Sequence, residues 1–244
     1  MLLVRSPLRI SLGGGGTDLP SYYRKRGGYL IAGAIDKYVY TSVIKPFSKG
    51  IILKYSEIEK VNSPSDIKHR IFKEILMMRE KESEQIEIST LADIPAGTGL
   101  GSSGAFTVSA LKALQMFDSE YKTNESIAET ACKVEIDRLR EPIGKQDQYA
   151  SAIGGLTEFI FHKDDSVEFN RLPISEENLI NFQESILMFF TGYSREASSI
   201  LKNQNEKTKS EDSEMLNNLD AVKEMGEISR ELLIKGDISQ YGLL

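Results

Sequence analysis

The sequence predicts a mixed α+β fold, and three observations carry that expectation. Strand-like and helix-like segments follow one another without strict β-α alternation, which argues against a doubly wound parallel sheet. A glycine-rich run, Pro95 to Gly104, joins an alternating strand directly to an apolar helix. From Ala197 to Lys235 the pattern turns helical and strongly charged.

The elements follow in chain order. VRSPLRISL alternates as a strand, and GGGGTDLP breaks it with a glycine cluster. Tyr29 to Ile44 is rich in β-branched and aromatic residues and predicts strands. Pro46 to Gly50 reads as a turn, and Ile51 to Tyr55 as a short strand. Ser65 is placed to cap a helix over Asp66 to Lys81, with Ile67, Ile71, Ile75 and Met78 on one face. Gln85 to Leu91 alternates again. Helices are expected over Ser103 to Phe117 and over Asn124 to Arg140, the second capped by Thr123 and ended by Pro142 and Gly144. Gly154-Gly155 opens a strand pair through Phe161. After the break at Pro173, Ile186 to Phe190 (ILMFF) reads as a fully buried strand, and NQNEKTKSEDSE as an exposed turn in the charged helical region. No internal repeat or low-complexity tract is present.

Composition narrows the function classes. A length of 244 residues suits one large domain or two small ones. A formal net charge of −6 gives no reason to expect nucleic acid or an anionic membrane as partner. The single cysteine, Cys132, excludes an internal disulfide and, within its apolar helical pattern, reads as a buried inert thiol. His69 is read on the polar side of a charged helix and His162 in the turn FHKDD, neither with an evident partner. A Ser-His-Asp hydrolase or a histidine zinc site is therefore not expected, and proton chemistry falls to carboxylates. The apolar run at the N-terminus is short and broken by charge, and no stretch reaches membrane-spanning length, so a cytoplasmic location is the default expectation.

PAGTGLGSSG is the most informative segment. A strand, a glycine loop and a helix N-terminus bring backbone N–H groups and the positive end of the helix dipole to one place, which suits a polyphosphate. Glycines permit close approach and positive φ, and Ser102 and Ser103 add hydroxyls suited to phosphate or hydrated magnesium. The alternatives at this point are a packing turn of small residues and a dinucleotide fingerprint, since Gly99, Gly101 and Gly104 satisfy G-x-G-x-x-G. A Rossmann unit would continue into a strand ending in an acidic residue, whereas DSEYKTNE leads into another helix. A P-loop is excluded because no G-K-[ST] follows.

Three separated motifs, in order, resemble the GHMP superfamily of small-molecule kinases: RSPLRISLGGGGTDLP (Arg5 to Pro20), PAGTGLGSSGAFTV (Pro95 to Val108), and the stretch from Glu135 through GKQDQYASAIGG to Gly155. The similarity continues through FTGYSREASSILKNQ (Phe190 to Gln204). The resemblance implies a GHMP-kinase fold, with a ribosomal-protein-S5-like domain over 1–172 and a ferredoxin-like domain over 173–244. The family carries a further glycine motif near its C-terminus that nothing after Tyr241 matches, so the second domain is expected to be incomplete. An uncovered ILMFF strand would then invite pairing with a second copy, and a homodimer is an expectation.

The same resemblance implies the cofactors ATP and Mg2+ and a set of roles. Asp147 matches the catalytic base and Arg9 the basic residue beside the transferring phosphoryl group. Pro95, Gly97, Gly99, Leu100, Gly101, Ser102, Ser103 and Gly104 match the nucleotide loop, with Ser103 and Glu135 as metal ligands. Gly14, Gly15, Thr17 and Asp18 match the sugar-binding turn. Taken singly, Asp147 also reads as a cap, Glu135 as a solvated helical charge and Arg9 as a surface strand residue. GGGGTDLPSYY and GKQDQY are most similar to kinases of D-glycero-D-manno-heptose 7-phosphate, which implies phosphorylation of the anomeric hydroxyl to the 1,7-bisphosphate. Arg195 is a candidate receptor for the sugar phosphate, with Arg24, Lys25 and Arg26 as further candidates. Competing expectations are a kinase of another sugar such as fucose, or a relic that binds ATP or sugar phosphate without turnover.

Overall fold

The computed structural model describes residues 1–79, 85–190 and 197–244. In chain order its elements begin with β1 (Leu2–Gly13), α1 (Pro20–Arg26), β2 (Gly28–Ile44), β3 (Gly50–Lys54), β4 (Ile58–Val61), α2 (Arg70–Met78) and β5 (Gln85–Ala92). Next come α3 (Ser102–Phe117), α4 (Asn124–Cys132), a π-helical segment (Lys133–Arg138) and α5 (Gln146–Ile153). The rest is β6 (Leu156–Phe161), β7 (Val167–Arg171), α6 (Glu176–Glu184), α7 (Ala197–Lys209), α8 (Ser213–Lys235) and α9 (Ile238–Tyr241). The mixed α+β class stands as expected. Contacts divide the chain into two compact units that interleave along the sequence: 1–8, 35–141 and 147–153, and 9–34, 142–146 and 154–244.

In the first unit the strand order is β4-β3-β5-β2, with β3 and β5 parallel and the outer pairs antiparallel. Val39 stands opposite Ala92, so β5 leads straight into the glycine loop from a fixed register. Inward-facing Ile51, Leu53, Ile86 and Ile88 pack against Phe72, Ile75 and Leu76 of α2 and Ala110, Ala113 and Leu114 of α3. The alanines let α3 lie close over the strands, and its other side meets Ile127 and Ala131 of α4 through Val108.

In the second unit the early part of β2 pairs antiparallel with β6, and β6 with β7. Tyr29, Ile31, Leu172, Phe182 and Leu233 form its core. The long helix α8 crosses the glycine turn after β1 at Gly226, where a β-carbon would stand 3.0 Å from the Gly14 backbone.

Four sequence expectations are corrected here. The helix expected from Asp66 under a Ser65 cap begins at Arg70, capped by His69; Ser63 caps only a 3-10 turn, Pro64–Asp66. The reason is Glu59, whose carboxylate accepts the N–H groups of Lys68 at 2.7 Å and His69 at 3.0 Å, holding that stretch out of the helix. His69 is half-buried rather than on a polar face: its Nδ1 accepts the Phe72 N–H at 3.4 Å and its ring stacks on Phe106. The helix over 124–140 is α-helical only to Cys132 and then widens into the π-helical segment. Finally, Ile186 to Phe190 is neither a strand nor buried: Leu187, Phe189 and Phe190 are 78%, 79% and 73% exposed. The core of that unit is filled by Phe182 and Leu233, with Ile186 and Tyr241 packed against them.

Other expectations hold more closely. Cys132 is buried, Thr123 caps α4 by accepting the Ser126 N–H at 3.1 Å, and the exposed turn shrinks to the residues between α7 and α8. Among the described residues, no helix is long and apolar enough to cross a membrane.

Candidate active site

The glycine loop is built as the sequence requires. Gly97, Gly99 and Gly101 all have positive φ (81°, 80° and 73°), a region that a side chain disfavours. Gly101 is the N-cap of α3, and its carbonyl accepts the Ala105 N–H at 3.0 Å. Among the described residues no side chain caps this helix, an arrangement that leaves the N–H groups of its first turn to an anion. A β-carbon at Gly99 would meet nothing within 4 Å among the described residues. Leu100 instead anchors the loop, packing with Leu8, Val39 and Ala105.

Ser103, in the first turn of α3, donates its hydroxyl to Glu135 Oε1. Glu135 comes from the π-helical segment and is 1% exposed. Its other oxygen accepts the Gln148 Nε2 amide at 2.7 Å. Burial pushes the Glu135 carboxyl above its usual range, the nearby Asp147 charge pushes the same way, and the hydroxyl and amide donors oppose both. A buried carboxylate that is disfavoured as an anion is a ready partner for a cation. Asp147 stands in the first turn of α5, half-buried, and Gly104 packs directly against it: a β-carbon at 104 would lie 2.6 Å from Asp147 Cβ. Gly104 is therefore required for packing rather than for the loop's curvature.

In the second unit, the turn after β1 is equally constrained. Gly14 and Gly16 have φ of 78° and 90°, and a β-carbon at Gly14 would overlap the Tyr29 carbonyl oxygen. Thr17 is fully buried, with its hydroxyl 2.8 Å from both the Gly14 and Tyr29 carbonyl oxygens while accepting the Tyr29 N–H at 3.1 Å. Asp18 is buried, and its Oδ2 accepts the Gln146 N–H, the first of α5, at 2.9 Å. Gly144 lies so close that any β-carbon would overlap this carboxylate.

Comparison with known proteins relates this geometry to a family. Residues 69–155, which include the glycine loop, Glu135 and Asp147, match the GHMP kinases N terminal domain. A D-glycero-alpha-D-manno-heptose 7-phosphate kinase of Campylobacter jejuni is 29% identical, over 96% of this chain and 71% of its own length. A galactokinase of Thermococcus kodakarensis is 28% identical, over 80% of this chain and 55% of its own length. The fold matches a D-glycero-D-manno-heptose 1-phosphate kinase of Bacteroides thetaiotaomicron at a TM-score of 0.81 and 24% identity, over 99% of this chain and 76% of that one. The chain is thus similar to the GHMP kinase family, whose N-terminal domain its residues 69–155 match.

GHMP kinases use ATP, and the first unit offers a donor set that suits magnesium as well. Among the described residues no cluster of three or more His, Cys, Asp or Glu side chains is arranged to hold a metal. One carboxylate and one hydroxyl, Glu135 and Ser103, nonetheless fit an ion that takes its remaining ligands from phosphates and water. The sequence-predicted Ser103, Gly104, Glu135 and Asp147 come together in one unit. Arg9, Gly14, Gly15, Thr17 and Asp18 belong to the other.

Not every candidate receptor for a sugar phosphate is available. Arg24 pairs with Asp165 at 2.8 Å, Lys25 with Glu211 at 2.6 Å, and Arg26 with Asp220. These three are engaged in surface ion pairs on α1. Arg195 lies outside the described residues. Gln148, on Glu135, stands inside GKQDQY next to Asp147, but a neutral side chain gives no charge signal in the sequence.

Proposed function

We propose that this chain transfers the γ-phosphoryl group of ATP to the anomeric hydroxyl of D-glycero-D-manno-heptose 7-phosphate, giving the 1,7-bisphosphate. The observation that carries the kinase reading is the first unit's arrangement. A glycine loop with three positive φ angles opens a helix whose first turn holds Ser103 on Glu135 and Gly104 on Asp147. The choice of sugar rests on similarity to the Campylobacter jejuni enzyme and on the motifs GGGGTDLPSYY and GKQDQY.

In this reading Pro95, Gly97, Gly99, Leu100, Gly101, Ser102, Ser103 and Gly104 hold the polyphosphate, chiefly through backbone N–H groups. Ser103 and Glu135 hold magnesium, which when bound neutralises charge on the phosphate oxygens. Gly14, Gly15, Thr17 and Asp18 bind the sugar, with Arg195 on its phosphate, and Arg9 offsets charge on the transferring group. The anomeric oxygen attacks the γ-phosphorus, the bond to the bridging oxygen breaks, Asp147 takes the hydroxyl proton, and ADP leaves. Such a transition state is loose, so positioning and charge neutralisation contribute most and the base contributes less. The family domains are proposed as 1–172 and 173–244.

A coupled assay for ADP tests the reading, with heptose 7-phosphate beside galactose and fucose as acceptors. ADP release strongest with heptose 7-phosphate is expected. Release with galactose or fucose alone would keep the kinase and change its sugar, and release with none would overturn turnover by this chain.

A further inference from the structure

A carboxylate that serves a metal must keep one edge free while its remaining lone pairs are satisfied by donors that do not compete with the metal's charge. Glu135 is 1% exposed, so water does little of this. Ser103 holds Oε1, and Gln148 Nε2 holds Oε2 at 2.7 Å. Gln148 is itself fully buried. Its amide is fixed by that contact, because a flipped amide would turn its oxygen onto the carboxylate. In the fixed orientation, Oε1 has no hydrogen-bond partner among the described residues. A lysine or arginine here would also hold Glu135, but would offset the charge that a metal requires.

Chain position adds a second constraint. Gln148 follows Asp147 in the first turn of α5, and Gly104 of α3 packs against the backbone of both. The amide therefore fastens the helix that carries Asp147 to the π-helical turn that carries Glu135. Widened π-helical turns recur at functional sites, where they re-aim a side chain.

We propose that Gln148 is a positioning residue of this kinase: its amide orients the Glu135 carboxylate toward a divalent cation and sets the place of Asp147 relative to it. This rests on the proposed function, and in particular on Glu135 as a metal ligand.

The test is equilibrium binding of ATP by the whole chain with and without Mg2+, and binding of Mn2+ read by electron paramagnetic resonance in the presence of a non-hydrolysable ATP analogue. Gln148→Leu is expected to bind metal-free ATP as the parent does and to lose metal affinity by about 10- to 100-fold, the range for lost outer-shell hydrogen bonds. Gln148→Asn, which withdraws the amide by one methylene, is measured in parallel and decides the matter if the leucine variant does not fold; the same direction of effect is expected. Unchanged Mn2+ affinity in a folded variant would overturn the positioning role while leaving the kinase reading intact. A parent protein whose ATP and Mn2+ binding are independent of each other would instead overturn the metal site itself, and the positioning role with it.

Discussion

Gly104 and Asp147 meet at a separation that leaves no room for a methyl group. A β-carbon at 104 would stand 2.6 Å from Asp147 Cβ, 2.9 Å from its carbonyl carbon and 3.0 Å from the Gln148 nitrogen. Two of these three neighbours are backbone and cannot rotate away. The helix that follows the glycine loop and the proposed base are thus placed by direct contact, within one compact unit.

Gly104→Ala is accordingly expected to destabilise the protein by about 1–3 kcal/mol, the usual penalty for overpacking a tight contact. Urea unfolding measures it. Turnover should fall further than stability alone explains, because relief of the clash moves Asp147. A variant with parental stability and parental turnover would mean that the contact is looser than described.

Asp147→Asn keeps the shape of the side chain and removes its capacity to take a proton. Turnover should drop by about 10²–10⁴-fold, the range for loss of a general base. ATP affinity should stay within about 2-fold, because the glycine loop and Ser103 are untouched. Loss of ATP binding together with loss of the fold would argue for a structural aspartate instead.

His69 gives a pH dependence whose sign follows from its surroundings. Burial holds its imidazole below the ordinary value of 6.5, outweighing the nearby Glu59 charge, which favours the protonated form. Phe72, Tyr55 and Phe106 surround the ring. Glu59 stays ionised near neutral pH: burial raises it, but donors from Lys68, Tyr55 and His69 outweigh that and hold it below the usual range. The unfolded chain therefore takes up a proton before the native state does. The contribution to stability is complete above 6.5 and is lost as pH falls through the depressed native value. Unfolding free energy measured at pH 8 and pH 5.5 should differ in that direction, and His69→Gln should reduce the difference. An unaltered pH dependence in the variant would assign it to other groups.

Phe189 offers a test of the segment for which sequence and structure disagree. A phenylalanine in a fully buried strand costs roughly 3–5 kcal/mol to truncate. At 79% exposure, Phe189→Ser should cost under about 0.5 kcal/mol. A large loss would restore the buried strand.

Much of the fold was legible because its signals are local. Alternation gave β1, β3 and β5, and capping by Thr123 gave the start of α4. Where sequence pattern and structure part, a distant residue intervenes. Glu59 takes the N–H groups of Lys68 and His69 and delays α2, something no periodicity within 65–81 encodes. ILMFF has the composition of a core strand, yet composition carries no information about which side chains already fill the core. Phe182 and Leu233 do so in that unit. The basic run on α1 looked available for a phosphate until folding brought Asp165, Glu211 and Asp220 to it.

The glycine loop itself, its strand and helix flanks, and the motifs that contain Glu135 and Asp147 were legible in the sequence alone. Positive φ is a property that glycine carries residue by residue, and the motifs are contiguous strings. Only the tertiary structure decided that Glu135 is buried between Ser103 and Gln148, that Gly104 is needed for Asp147 rather than for the loop, and that Asp18 holds the start of α5. Those facts depend on contacts between residues far apart in the chain, which appear only when packing has fixed the backbone that carries them.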